Sequence, residues 1–144
     1  MNAKTVSWLD SSALLALFLA ERGFEIVRAL LADAAKGKRE ILVAQISLTE
    51  IANSVSRDYG EAIAREDIRL LRELAVTIEV PTDEQCIEAG LLRRSVRLST
   101  AEAIIAVQAM AAGAELVHKD PEFESVVGLK QRPLPYKTKT APKR

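Results

Sequence analysis

Four carboxylates stand where apolar segments of the sequence end and helices begin, and their chemistry suits a metal site. They are Asp10, Glu50, Glu102 and Asp120. Carboxylates that share a crevice repel one another unless a divalent cation lies between them, and Mg²⁺ or Mn²⁺ prefers oxygen ligands. Such a site stabilises the charge of a phosphodiester transition state and lowers the pKa of a bound water molecule. The residue types are therefore compatible with metal-dependent phosphodiester hydrolysis.

The same carboxylates also have structural explanations. Residues 47–50 and 99–102 both fit the capping box, in which a glutamate turns back to the first backbone N–H of its own helix. Residues 82–85 have the same form, and no catalytic role is expected there. Asp120 precedes Pro121 and fits a turn or a helix cap. Spacing alone leaves the structural and the functional interpretations open.

Other catalytic motifs are missing from the sequence. Neither GxGxxG nor GxxxxGK[ST] occurs, which argues against an enzyme that binds a dinucleotide or a nucleoside triphosphate. No serine lies in a GxSxG context. His118 is the only histidine, and no second histidine or cysteine stands at a ligand spacing, so a zinc site is not indicated.

The elements that must position the carboxylates are short strands that alternate with helices. The apolar pattern predicts strands at residues 6–9, 41–44, 76–80, 116–118 and 129–132. It predicts helices at residues 12–20, 24–35, 47–59, 61–74, 81–98 and 99–112. Such alternation favours an α/β domain with a mainly parallel sheet covered on both faces. Asp10 then follows the first strand, where ligands bind in open sheets of this kind.

Composition favours one soluble domain of 144 residues, with 49% apolar and 4% aromatic residues. No apolar run approaches the roughly 18 residues that a membrane span needs. The single cysteine, Cys86, cannot form an internal disulfide, and its apolar surroundings predict a buried thiol. These features agree with a protein of the cytoplasm.

The net charge of zero conceals two oppositely charged parts. Six of the 20 basic residues and none of the 20 acidic residues follow Glu124, which leaves 14 basic against 20 acidic residues before it. We expect a folded domain at residues 1–133 and a basic, flexible tail at residues 134–144. The tail is either a solvated terminus or a segment that contacts a polyanion.

Four segments together resemble the PIN-domain family, and within it the VapC-type ribonuclease toxins. The segments are DSSA at residues 10–13, SLTEIAN at 47–53, LSTAEAIIA at 98–106 and LVHKDPEF at 116–123. The resemblance covers residues 5–130. It implies a three-layer α/β/α domain and an endoribonuclease that depends on Mg²⁺ or Mn²⁺.

The resemblance also assigns residues and partners. It makes Asp10, Glu50, Glu102 and Asp120 the acidic cluster that holds metal and activates water. Ser11 would support the cluster by hydrogen bonding, and Asn53 lies one turn beyond Glu50 on the same helix face. It further implies an RNA substrate and a small antitoxin that binds near the crevice.

Two positions depart from the family pattern. Glu102 stands where the family usually has aspartate, and His118 stands where threonine or serine is common. These departures motivate an alternative, a non-catalytic PIN-like module that binds RNA or protein. Two further alternatives are a PIN nuclease of RNA maturation and a phosphoryl-accepting receiver-like domain that would use Lys119.

The apolar helices predicted at residues 24–35 and 61–74 offer more apolar surface than one small sheet covers. We therefore expect a homodimer.

Overall fold

The computed structural model describes residues 4–137 and contains one five-stranded parallel sheet with helices on both faces. The strands are β1 (Thr5–Leu9), β2 (Arg39–Ala44), β3 (Thr77–Glu79), β4 (Glu115–His118) and β5 (Lys130–Pro133). The helices are α1 (Ser11–Phe18), α2 (Phe24–Ala35), α3 (Ile46–Tyr59), α4 (Glu61–Glu73), α5 (Asp83–Leu92) and α6 (Thr100–Ala111), and a 3₁₀ helix covers Pro121–Ser125. The predicted α/β/α class is confirmed.

The strand order β3-β2-β1-β4-β5 places β1 at the centre of the sheet. β1 pairs in parallel with β2 on one side and with β4 on the other. The chain winds outward from β1 first through β2 and β3, and later through β4 and β5. The strand order therefore reverses between β1 and β4, which leaves a crevice at the carboxyl ends of these two strands. Ligands usually bind at such a crevice in an open parallel sheet.

Each central strand sends alternate side chains into two separate cores. Trp8, Leu42 and Leu116 are buried against α5 and α6. Their neighbours Leu9, Val43 and Val117 are buried against the helices α1 to α4. The sequences of these strands are therefore continuous apolar runs, which is typical of parallel strands covered on both faces. Among residues 4–137, no helix is both long and apolar enough to cross a membrane.

The predicted helix at residues 81–98 is too long, because α5 ends at Leu92. The N–H groups of Arg94 and Ser95 donate to carbonyls three residues back, so the chain forms tight turns after Leu92 and leaves the helix. Arg93 Nε donates to the carbonyl of Leu98 at 2.9 Å and fixes this turn in front of α6. Apolar spacing alone does not detect a turn that a side chain holds in this way.

Cys86 is exposed on α5, so the prediction of a buried thiol is wrong. Helix α5 buries Ala89 and leaves Ile87 and Leu91 exposed. Its apolar residues therefore do not mark a buried face, and the apolar surroundings of Cys86 in the sequence were misleading.

The first residues of the predicted tail pack against the domain. The N–H of Leu134 donates to the His118 carbonyl at 2.7 Å. The Leu134 side chain is buried in the core beneath α1 and α2. Gly23 permits this approach, because a Cβ there would lie 3.2 Å from Pro135 Cδ. Lys137 Nζ lies 3.2 Å from Glu21 Oε2. Leu134 and Lys137 therefore contact the domain, while the boundary at residue 133 stays a prediction. Residues 138–144 lie outside the described residues, and their flexibility also stays a prediction.

We predict that Leu134→Ala lowers the free energy of unfolding by about 2–3 kcal/mol, since it removes buried methyl groups and leaves a cavity. Urea denaturation followed by circular dichroism measures this change. The matched control is Val127→Ala, because Val127 is 94% exposed and its truncation should change stability by less than about 0.5 kcal/mol. Equal stability of the two variants would show that residue 134 does not belong to the core.

Candidate active site

Asp10 lies at the carboxyl end of β1 and caps α1. Its backbone N–H donates to the Val117 carbonyl at 3.0 Å, which ties the ends of β1 and β4 together. Its Oδ2 accepts from the Ser12 N–H at 3.0 Å and from the Ser12 hydroxyl. The residue is only 4% exposed. Asp10 is therefore a buried carboxylate with a fixed side-chain position.

Glu50 lies in α3, and it does not form the capping box that its sequence allows. The N-cap of α3 is Gln45, which makes no side-chain cap bond. The Ser11 hydroxyl instead donates to Glu50 Oε1 at 2.6 Å, and it lies 2.8 Å from the Ser47 hydroxyl. Because Ser11 directly follows Asp10, this bond brings Glu50 to the end of β1.

Glu102 and Asp120 both have structural roles of the kind the sequence suggests. Glu102 Oε1 accepts from the Ser99 N–H at 2.8 Å, and the Ser99 hydroxyl accepts from the Glu102 N–H, so the capping box of α6 is complete. Asp120 Oδ1 accepts from the Glu122 N–H at 2.9 Å and caps the 3₁₀ helix.

All four carboxylates share one arrangement. In each, the hydrogen bond that fixes the side chain is accepted by one identified oxygen. These oxygens are Asp10 Oδ2, Glu50 Oε1, Glu102 Oε1 and Asp120 Oδ1. Local hydrogen bonds therefore fix the position of all four side chains.

The carboxylates are close enough to disfavour one another's charge. Burial raises the pKa of Asp10 to about 6, and the charge of Glu50 adds to this effect against the bonds from Ser12. Burial and the neighbouring Asp120 carboxyl raise the pKa of Glu102 to about 7. Ionised carboxyl groups are therefore unfavourable in this site without a cation. Because all the available ligands are oxygens, the site fits a hard divalent cation.

One group of carboxylates has the spacing of a metal site. A ligand oxygen from each of Glu102, Asp120 and Glu122 lies within 4.8 Å of the others. Asp10 and Glu50 form a second pair, linked through Ser11, at the neighbouring strand end. Sequence reasoning missed Glu122, although its position two residues after Asp120 in an Asp-Pro-Glu turn was a usable signal.

Two serines hold the cluster, and only Ser11 was predicted in that role. Ser12 links Asp10 to the segment that follows β4. Its hydroxyl donates to Asp10 and accepts from the Lys119 N–H at 2.9 Å. Asn53 is exposed on α3, one turn beyond Glu50. The Lys119 side chain turns away from the cluster, and its Nζ donates to the Arg22 carbonyl at 2.8 Å.

His118 is a buried residue that positions Asp120. Its Nδ1 accepts from the Asp120 N–H at 3.1 Å, so the proton is on Nε2, which faces Gln131 Oε1 at 2.9 Å. Burial lowers the pKa of His118, which keeps the ring neutral near pH 7. Threonine or serine is common at this position in the family. His118 stands there instead and provides a hydrogen-bond acceptor for the Asp120 N–H.

Comparison with known proteins gives one family match. The family model described as PIN domain matches residues 8–129. No curated protein sequence matches the chain.

Solved structures share the fold at low sequence identity. A chain of VapBC2 from Rickettsia felis, bound to a DNA fragment from its promoter, gives a TM-score of 0.73 at 16% identity and covers 90% of this chain and 99% of its own. A chain of DNA-bound VapBC from Salmonella typhimurium gives 0.71 at 14% identity, with coverage of 91% and 98%. VapC20 from Mycobacterium tuberculosis, a toxin that cleaves the sarcin-ricin loop, gives 0.64 at 17% identity, with coverage of 87% and 98%.

We predict that Asp10→Asn stabilises the metal-free protein at pH 8 but not at pH 4. The folded-state pKa of Asp10 is raised from 3.8 to about 6, so folding loses stability as pH rises from about 4 to above 6. The loss is about 3 kcal/mol at most. Urea denaturation in EDTA at both pH values measures the difference between the variant and the wild type.

The control is Asp33→Asn, a carboxylate on α2 away from the cluster, which should show no such difference. Added Mn²⁺ should raise the melting temperature of the wild type and not that of Asp10→Asn. An Asp10→Asn protein less stable than wild type at pH 8 would contradict the assignment of a costly charge to this residue.

Proposed function

The chain belongs to the PIN-domain family, and on that premise we propose that it is an endoribonuclease dependent on Mg²⁺ or Mn²⁺ and the toxin of a toxin–antitoxin pair. The observation that carries the proposal is the set of carboxylates fixed by local hydrogen bonds at the point where β1 and β4 end. Family membership supports the reaction class, and the cluster supplies the chemistry.

The donor set suits the cation that the family implies. Asp10, Glu50, Glu102 and Asp120 would hold it, with Glu122 as a further carboxylate. A bound Mg²⁺ or Mn²⁺ supplies charge stabilisation to a phosphodiester and an activated water molecule. In the metal-free protein, Asp10 and Glu102 take up protons near neutral pH, so loading the site releases protons and should become easier as pH rises.

The chain's own residues set the position of each group. Ser12 fixes Asp10, Ser11 fixes Glu50, and the Ser99 N–H fixes Glu102. Because these bonds exist before any ligand arrives, the carboxylates need little reorganisation during the reaction. Ser11 is a supporting residue in this proposal, and Asn53 is a candidate contact for substrate beyond Glu50.

Glu102 is compatible with a metal-ligating role despite its extra methylene. Its Oε1 remains on the Ser99 N–H while the carboxyl group interacts with Asp120. The longer side chain therefore spans the distance from the helix cap to the cluster. This geometry supports the enzyme over the non-catalytic module.

The proposed partners are an RNA substrate and a small antitoxin. Structures of the same fold include a toxin–antitoxin complex and a toxin that cleaves the sarcin-ricin loop. A likeness of fold at this identity supports the proposal without naming the RNA or the antitoxin for this chain.

A homodimer remains part of the proposal, with a changed view of its surface. Helix α2 buries Val27, Leu30 and Leu31, so it offers less apolar surface than the sequence suggests. Helix α4 leaves Ile63 and Leu70 exposed, which supports its role in an interface.

We predict that the purified protein cuts RNA with Mg²⁺ or Mn²⁺ and that Asp10→Asn and Glu102→Gln each lower kcat/KM by at least about 100-fold. Each change removes a negative oxygen ligand and leaves a side chain of similar size. Cleavage of a labelled RNA, followed on denaturing gels, measures the rates. Glu88→Gln, an exposed acid on α5, is the matched control and should cut at the wild-type rate.

Equal activity of Asp10→Asn and wild type would overturn the assignment of the site. Metal-dependent stabilisation and RNA binding without any cutting would favour the non-catalytic module.

We predict that expression of the protein arrests growth of its host and that co-expression of the adjacent small open reading frame relieves the arrest. The physical reason is that a partner bound near the crevice blocks access of RNA to the carboxylates. Growth curves measure the effect, with Asp10→Asn as the inactive control. An active nuclease that does not slow growth would favour a role in RNA maturation.

A further inference from the structure

An apolar cavity lies beside the acidic cluster at the same edge of the sheet. It has a volume of about 430 Å³ and is lined by Gln45, Ile46, Leu48, Thr49, Pro81 and Ile104. The first four residues belong to the start of α3, Pro81 follows β3, and Ile104 lies on α6. The cavity is therefore built over the carboxyl ends of β2 and β3, next to the ends of β1 and β4 that carry Asp10 and Asp120.

The cavity and the cluster share two helices. Thr49 precedes Glu50 in α3, and Ile104 lies two residues after Glu102 in α6. The start of α3 is fixed by its own contact, since the Gln45 N–H donates to the Glu79 carbonyl at 3.0 Å. The cavity wall is thus formed by the same two helices that carry Glu50 and Glu102.

We propose that this cavity binds one nucleobase of the RNA, the base next to the phosphodiester that the acidic cluster cleaves. This inference rests on the proposed ribonuclease function and adds a substrate subsite to it. A phosphate held at the carboxylates must place its flanking bases on the surface beside them. Single-stranded RNA offers unstacked bases, and the flat faces of a base can pack between apolar side chains.

The chemistry of the lining favours a base over a charged group. Ile46, Leu48, Pro81 and Ile104 supply apolar surface, and no lining residue carries a charge. Gln45 is exposed, and its carboxamide makes no cap hydrogen bond at the start of α3. A glutamine amide can donate to and accept from the edge of a base at once, as in nucleic-acid readout. Gln45 is accordingly the residue expected to select which base enters.

The test measures coupling between the cavity and one base. A short single-stranded RNA that the wild type cuts once is prepared with an abasic nucleotide at each position around the cleaved bond. We expect one abasic position next to this bond to lower kcat/KM by about 5- to 30-fold, the loss expected when the faces of one base no longer bury apolar surface in the cavity. In Ile104→Ala and in Gln45→Ala, the same abasic substitution should cost markedly less.

The control variant is Ile87→Ala, which truncates an exposed apolar residue on α5, and it should keep the full wild-type penalty. Circular dichroism melting of Ile104→Ala checks that the variant is folded. Gln45→Ala changes an exposed side chain and serves as the second variant if Ile104→Ala is unstable.

Two outcomes overturn the proposal while leaving the ribonuclease intact. One is a wild-type enzyme that cuts but shows the same abasic penalty in both cavity variants. The other is loss of binding to the protein encoded by the adjacent reading frame in these variants with an unchanged abasic penalty, which would assign the cavity to the protein partner. A wild type that cuts no RNA under any metal condition would instead refute the proposed function itself.

Discussion

The burial of carboxylates close to one another, at one edge of the sheet, is the constraint on which the candidate site depends. Burial beside other acids makes the charged forms of Asp10 and Glu102 costly, as their raised pKa values show. Left free, such side chains would rotate apart into solvent. Each is instead held by a short local hydrogen bond from a serine hydroxyl or a backbone N–H. The fold thus maintains a cluster of acids whose charge a cation would balance, at a cost to the stability of the metal-free protein.

The order of the strands explains why acids distant in sequence meet. Because β1 pairs with both β2 and β4, the segments that follow these three strands leave the sheet at one edge. The same arrangement couples the site to the end of the domain. β5 pairs with β4, Leu134 continues this contact to the His118 carbonyl, and His118 in turn accepts from the Asp120 N–H. The ring of Tyr136 stacks over His118 with centroids 6.0 Å apart. The segment after β5 therefore helps to position an acid of the site.

Most of the fold could be predicted from the sequence, because parallel strands buried on both faces are short apolar runs and glycines mark the turns between helices. Errors arose where a particular side chain decided the outcome. Arg93 ends α5 through a bond to Leu98, and the space above Gly23 admits Leu134. Neither contact leaves a periodic signal. For the proposed site, the residue types and their order suggested the acids, but the sequence could not show that Ser11 donates to Glu50 while Ser12 donates to Asp10.

Glu102 shows why structural and catalytic interpretations of an acid need not compete. The capping box predicted at residues 99–102 is present, and it uses only Oε1. A carboxylate has two oxygens, so a cap that uses Oε1 does not prevent the same carboxyl group from interacting with Asp120. An aspartate at this position would be one methylene shorter. Its carboxyl group would therefore be less able to reach both the Ser99 N–H and the Asp120 carboxyl group. The longer residue therefore keeps the helix start intact and still reaches the acids, which makes the departure from the family pattern compatible with a working site.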